Sequence, residues 1–192
     1  MSATVPKKIV IIGASTGGPG QIEKIIRSLP ILNNTTVIIA QHMSLEFIPS
    51  FAKRLQSLST NSIIMAKDND AIESTKIYLC HGSTSVSMDK DRLLFSIEPS
   101  QNHKYNPDIN TIFNSLAYYT KNIEILGVIL TGIGDDGVEG CKQLSLRGAK
   151  TITQDSQSAI VDGMPSRARK EIEGIEIGDT LYIKNKIVEF CS

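Results

Sequence analysis

The sequence predicts a doubly wound α/β domain: a mostly parallel sheet with helices on both faces and a short antiparallel hairpin at one edge. Three observations carry this expectation. Short β-branched runs alternate with amphipathic stretches along the whole chain. The strongest runs, residues 9–12, 37–40 and 125–130, are apolar throughout, as strands buried on both faces must be. Strands that alternate with helices pair in parallel and carry their crossovers on the sheet faces.

Residues 9–12 form the first strand. Pro19 suits the first turn of a helix. Ile22, Ile25, Ile26 and Leu29 then fall at i, i+3, i+4 and i+7, and Pro30 stops the run. Residues 37–40 form a second buried strand. A second helix follows, with Phe47, Ile48, Phe51, Leu55 and Leu58 on one side. Residues 63–65 and 77–80 read as further short strands. Between residues 83 and 97, Val86 and Met88 alternate with serines, and Asp89-Lys90-Asp91 makes a turn before Leu93-Leu94-Phe95, which predicts the hairpin. Pro107 opens a helix carrying Ile109, Ile112, Phe113 and Leu116. Residues 125–130 form the third strongly buried strand. Val138, Cys141 and Leu144 mark a helix closed by Gly148, and residues 151–153 another strand. Residues 165–172 and 185–190 read as short helices.

Composition agrees with this. The 192 residues are 41% apolar and 21% charged, which excludes a disordered chain. That length suits one domain, so residues 1–192 are expected to form a single unit. Lys plus Arg equals Asp plus Glu, 20 against 20, with no long run of either sign. Nothing supplies the field that nucleic acid requires. The three cysteines are scattered and lack metal spacing, which fits a reducing compartment. No apolar run approaches the length of a membrane span, so a cytoplasmic location without membrane insertion is expected.

In such a sheet ligands bind beyond the carboxyl ends of the strands. Gly13-Ala14-Ser15-Thr16-Gly17-Gly18 follows the first strand, Gln41-His42-Met43 the second, and Thr131-Gly132-Ile133-Gly134-Asp135-Asp136-Gly137 the third buried one. A serine, a histidine and an aspartate therefore share one rim. The first segment fits G-x-S-x-G, a sharp strand-to-helix turn that lifts a serine out of the sheet. Serine is a weak nucleophile and needs a base, and the base needs an orienting acid. His42 and the Asp135-Asp136 pair supply those types. The turn also suits a nucleotide cradle, but it lacks the GxGxxG order and a phosphate-loop lysine. Asp135 and Asp136 equally suit capping of the following helix. His81 and His103 complete the histidines; His81 beside Cys80 does not resemble a zinc pattern. Lys53-Arg54 and Arg167-Ala168-Arg169-Lys170 read as solvated helix faces or as contacts for an acidic partner, and the sequence does not decide between the two.

At these residues the chain resembles the chemotaxis protein-glutamate methylesterases. The resemblance rests on residues 11–19, on Gln41-His42-Met43 and on residues 130–137, with Gln154-Asp155 and Gly163-Met164-Pro165 in support. It extends from about Lys8 to the C-terminus. It implies hydrolysis of glutamyl 5-O-methyl esters on the cytoplasmic helices of methyl-accepting chemoreceptors, giving glutamate and methanol. It also implies deamidation of receptor glutamines. Matched to the family motif, Ser15 is the nucleophile and His42 the base. Asp136 is the acid because the family acid directly precedes the glycine matched by Gly137. Backbone N–H groups of Thr16 and Gly17, with Ile133, line the oxyanion position, and neither metal nor organic cofactor is implied. The family usually carries a receiver domain ahead of this unit; few residues precede the first strand here, so none is expected. Ile133 stands where the family commonly has Met, and Ser85 where it often has His. Residues 106–110 follow the usual Pro-Ser-Val-Asp segment loosely. Two other readings remain: a serine esterase for a different substrate, and a non-catalytic nucleotide-binding or scaffold module.

Overall fold

The computed structural model describes residues 5–99 and 104–192. Seven strands form one sheet: β1 (Lys8–Ala14), β2 (Thr35–Gln41), β3 (Ser62–Met65), β4 (Lys76–Leu79), β7 (Glu124–Ile129), β8 (Lys150–Gln154) and β9 (Glu176–Gly178). Their order is β3-β4-β2-β1-β7-β8-β9, and every neighbouring pair is parallel. The chain winds outward from β1 through β2 and returns to pair β7 on the other side. The switch in winding therefore falls between β1 and β7, where a doubly wound sheet opens a crevice at its carboxyl edge.

Alternation along β1 explains its uninterrupted apolar run. Ile9 and Ile11 pack on one face with α3 (Ile109–Leu116), α4 (Val138–Leu146) and α5 (Met164–Glu171). Val10, Ile12 and Ala14 pack on the other with α1 (Gly18–Ser28), α2 (Ile48–Gln56) and α6 (Thr180–Cys191). A strand with two covered faces has no position where a polar side chain reaches water. In α1 the predicted i, i+3, i+4 stripe is buried at Ile22, Ile25 and Ile26. Gly17, at φ 82°, supplies the left-handed turn into that helix, a conformation that glycine adopts without steric cost.

The predicted hairpin forms from β5 (Ser83–Asp89) and β6 (Arg92–Glu98). It is a two-stranded sheet of its own, and it lies across the face that carries α3. Phe95 meets Tyr78 of β4 edge-on at 5.0 Å, and the Ser115 hydroxyl of α3 accepts from Val86 N. Met88, beyond this packing, is exposed.

Two sequence readings need correction, and one strand is new. The last helix begins at Thr180, not near Asn185, because Asp179 caps it by accepting from Tyr182 N. Residues 176–178 add β9, a strand too short to give a pattern. Arg169 does not belong to a solvated face: it donates to Asp162 and to the Gln154 carbonyl at 2.6 and 2.7 Å, and neighbouring Ala168 is fully buried. Arg54, by contrast, is exposed and pairs with Glu23. Among the described residues no helix is long and apolar enough to cross a membrane.

Candidate active site

The loops leaving β2, β1 and β7 emerge side by side because those strands are neighbours. Backbone pairing continues one step beyond them. His42 N donates to Ala14 O at 2.9 Å, Ser15 N to Thr131 O at 3.0 Å, and Leu130 N to Gly13 O at 2.9 Å. Ser15 is thereby set between the β2 and β7 exits. The buried Gln41 adds a second link, its Nε2 donating to both Ser15 O and His42 O at 2.8 and 2.9 Å. One side-chain amide thus couples the backbones of the serine and the histidine.

Ser15 lies directly over Gly132. A Cβ at that glycine would stand 2.7 Å from Ser15 Cβ and 2.3 Å from Met164 Sδ. Gly132→Ala is therefore expected to cost about 1–3 kcal/mol of stability through overpacking, read from urea denaturation. It should also displace Ser15.

Asp136 is 2% exposed, and its carboxylate is fully engaged. Oδ2 lies 2.6 Å from His42 Nε2 and accepts from Ile109 N at 2.9 Å. Oδ1 accepts from Asn110 N at 2.9 Å. The two N–H groups are the first of α3, donors that a helix cannot satisfy internally and that stand at its positive end. Asn110 returns the contact, its Oδ1 accepting from Gly137 N and Gly140 N at the start of α4. The buried charge is thus balanced by hydrogen bonds from elements that hold the loop in place. Asp135 is exposed, and its carbonyl accepts from Val138 N. Successive residues of the turn point apart, so Asp136 and not Asp135 meets the imidazole.

With Nε2 against the carboxylate, Nδ1 is the ring nitrogen left for another partner. The structure brings His42 and Asp136 into contact and sets Ser15 on the adjoining turn; among the described residues no hydrogen bond joins the serine hydroxyl to the imidazole. Thr16 is exposed, Gly17 caps α1 and Ile133 is 63% exposed. Their backbone N–H groups find no acceptor among the described residues. Phe47, Ile133 and Ile160 present exposed apolar side chains around this rim. A shallow hollow of about 460 Å³ beside it is lined by Lys104, Tyr105, Gly134, Asp135, Asp162 and Gly163, among others.

The sequence reading passed over Tyr105 and gave no contacts to several other residues at the site. Tyr105 stacks on the His42 ring, and Asn106 bonds to the loops at Met43 and Gly82. Gln154 Oε1 accepts from Thr131 N at 2.6 Å, and the Thr131 hydroxyl binds Thr16 O and meets Val161 N. A usable signal for such contacts was present at two glutamines. Gln41 and Gln154 each close a strand directly after a run of apolar or β-branched residues, where a buried amide needs a specific partner. Tyr105 and Asn106 sit in a polar loop and carried no such mark.

Other chemistries fit less well. All three cysteines are buried, and burial pushes their thiols upward, Cys80 and Cys191 to about 12, so none is a ready thiolate. His81 Nε2 lies 2.9 Å from Ala66 O, and His103 lies outside the described residues. Among the described residues no group of three or more His, Cys, Asp or Glu side chains is placed to hold a metal ion.

Comparison with known proteins agrees with this geometry. The family model described as CheB methylesterase matches residues 10–187. A protein-glutamate methylesterase/protein-glutamine glutaminase of Rhodospirillum rubrum is 34% identical over 165 residues, covering 84% of this chain and 45% of that protein. One from Carboxydothermus hydrogenoformans is 32% identical over 189 residues, covering 95% of this chain and 53% of its own length. The chain thus spans about half the length of the curated relatives it matches. The crystal structure of the Thermotoga maritima CheB methylesterase catalytic domain superposes with a TM-score of 0.85 at 27% identity, covering 95% of this chain and 97% of that one. The same strand-end residues that converge on one rim lie within the matched region, and on these grounds the chain belongs to the CheB methylesterase family.

Proposed function

We propose that this chain hydrolyses glutamyl 5-O-methyl esters on the cytoplasmic helices of chemoreceptors, and that Ser15, His42 and Asp136 carry the reaction. The observation that supports this most is the buried Asp136 carboxylate against His42 Nε2, on the strand end next to Ser15. Asp136 holds a proton on Nε2, which leaves the Nδ1 lone pair facing the serine turn. On substrate binding Nδ1 takes the Ser15 proton as Oγ attacks the ester carbonyl; such catalytic hydrogen bonds commonly tighten only in the bound complex. The oxyanion meets the N–H groups of Thr16, Gly17 and Ile133. The imidazolium, stabilised by Asp136, gives its proton to the departing methoxide, and methanol leaves. Water then attacks the acyl-serine, His42 accepts its proton and returns it to Oγ, and glutamate is released. The same cycle on a glutamine side chain expels ammonia. The names of the relatives support both activities. The exposed apolar rim suits a protein helix presenting one side chain.

The test is methanol release from methyl-labelled receptor, with ammonia release from receptor glutamine measured in parallel. Release that depends on Ser15 bears out the proposal. Turnover of small esters with no action on receptor makes this an esterase for another substrate. Nucleotide binding without hydrolysis makes it a non-catalytic module.

A further inference from the structure

We propose that Tyr105 is a positioning residue for His42, holding the imidazole in the plane from which Nδ1 addresses Ser15; this rests on the reading of His42 as general base given above. The two rings stack with centroids 4.8 Å apart and planes within 6° of parallel. The hydrogen bond to Asp136 does not by itself set that plane. The extension of the Cβ–Cγ bond leaves the imidazole between Cε1 and Nε2, so Nε2 lies nearer that axis than Nδ1 does. Modest rotation about this axis swings Nδ1 away from the serine while moving Nε2 less against the carboxylate. A flat partner laid against the imidazole face blocks that rotation.

Tyr105 is held well enough to do this. The Lys104 ammonium stands 4.9 Å from its ring centroid. Its neighbour Asn106 is clamped to the residue after His42. Met43 N donates to Asn106 O at 2.9 Å, and Asn106 Nδ2 donates to Met43 O at 2.7 Å. Asn106 Oδ1 also accepts from Gly82 N at 2.6 Å. Each stacked ring therefore comes from the residue just before a clamped one, and the backbone registers the two faces. The stack acts on the orientation of the general base and not on ground-state binding of the ester, so its loss should show in kcat.

The experiment compares kcat and KM for methanol release in Tyr105→Phe and Tyr105→Leu, with Ser15→Ala and His42→Ala in the same assay. Misplacing a reacting group by about 1 Å can cost on the order of 100-fold. Tyr105→Leu is expected to lower kcat by roughly 10- to 50-fold with KM within about twofold, and Tyr105→Phe, which keeps the plate, to stay within about threefold of wild type. A Leu variant with wild-type kcat overturns the inference. So does equal loss in both variants, or a rise in KM alone. Full activity in Ser15→Ala or His42→Ala removes the catalytic reading itself, an outcome distinct from failure at Tyr105. A second measurement needs no variant. In the NMR spectrum of the unaltered protein, the carbon-bound ring protons of His42 should lie upfield of their random-coil positions, since they sit over an aromatic face. Random-coil positions count against the stack.

Discussion

Ser15→Ala is expected to lower methanol release from methylated receptor by about 10³- to 10⁶-fold, with the fold intact. Removing a triad nucleophile normally costs several orders of magnitude, because what remains is oxyanion stabilisation and binding alone. The structural cost should be small. Ser15 is half-buried, and its backbone, not its hydroxyl, makes the bonds to Thr131, Gly18 and Gln41. A melting transition close to wild type together with near-complete loss of kcat is therefore the expected pair of results. A loss below about tenfold would mean that serine is not the nucleophile.

Asp136→Asn should lower kcat by about 10⁴-fold, and unlike the serine substitution it should also weaken the fold. The carboxylate accepts from two α3 N–H groups besides its contact with His42. An amide offers one oxygen and one NH2 in the same space. If the NH2 faces His42, the imidazole must turn to the other tautomer, and Nδ1 becomes a donor where a base is needed. If it faces Asn110 N, a buried donor meets a donor. Leaving one such group unsatisfied costs about 1–3 kcal/mol, which urea denaturation should resolve. Asp135→Asn is the matched control: that side chain is exposed and touches neither the imidazole nor α3, so activity should stay within about twofold. Equal effects at the two positions would contradict the assignment of Asp136.

Much of this candidate site was legible in the sequence. The apolar runs at 9–12, 37–40 and 125–130 identified strands buried on both faces, and the segment after each identified the rim. Legibility failed where the information was too short or too distant. β9 has three residues, too few for any period to emerge. Within a run of charges, Arg169 had nothing local to separate it from Arg167, yet α5 turns it inward to Asp162 while Arg167 pairs with Glu171 on the surface. The aspartate pair was likewise ambiguous by spacing, and it was the family motif that favoured Asp136.

Local chemistry, then, determined which stretches are strands, where the chain turns, and which side chains stand at the carboxyl edge, because period and turn propensity act over a few neighbouring residues. Tertiary structure alone decided that Nε2 of His42 meets Asp136, that the first N–H groups of α3 hold that carboxylate, and that Tyr105 covers the ring. Those contacts join residues dozens of positions apart. Their geometry depends on how strands register and helices close over the sheet, which no local pattern encodes.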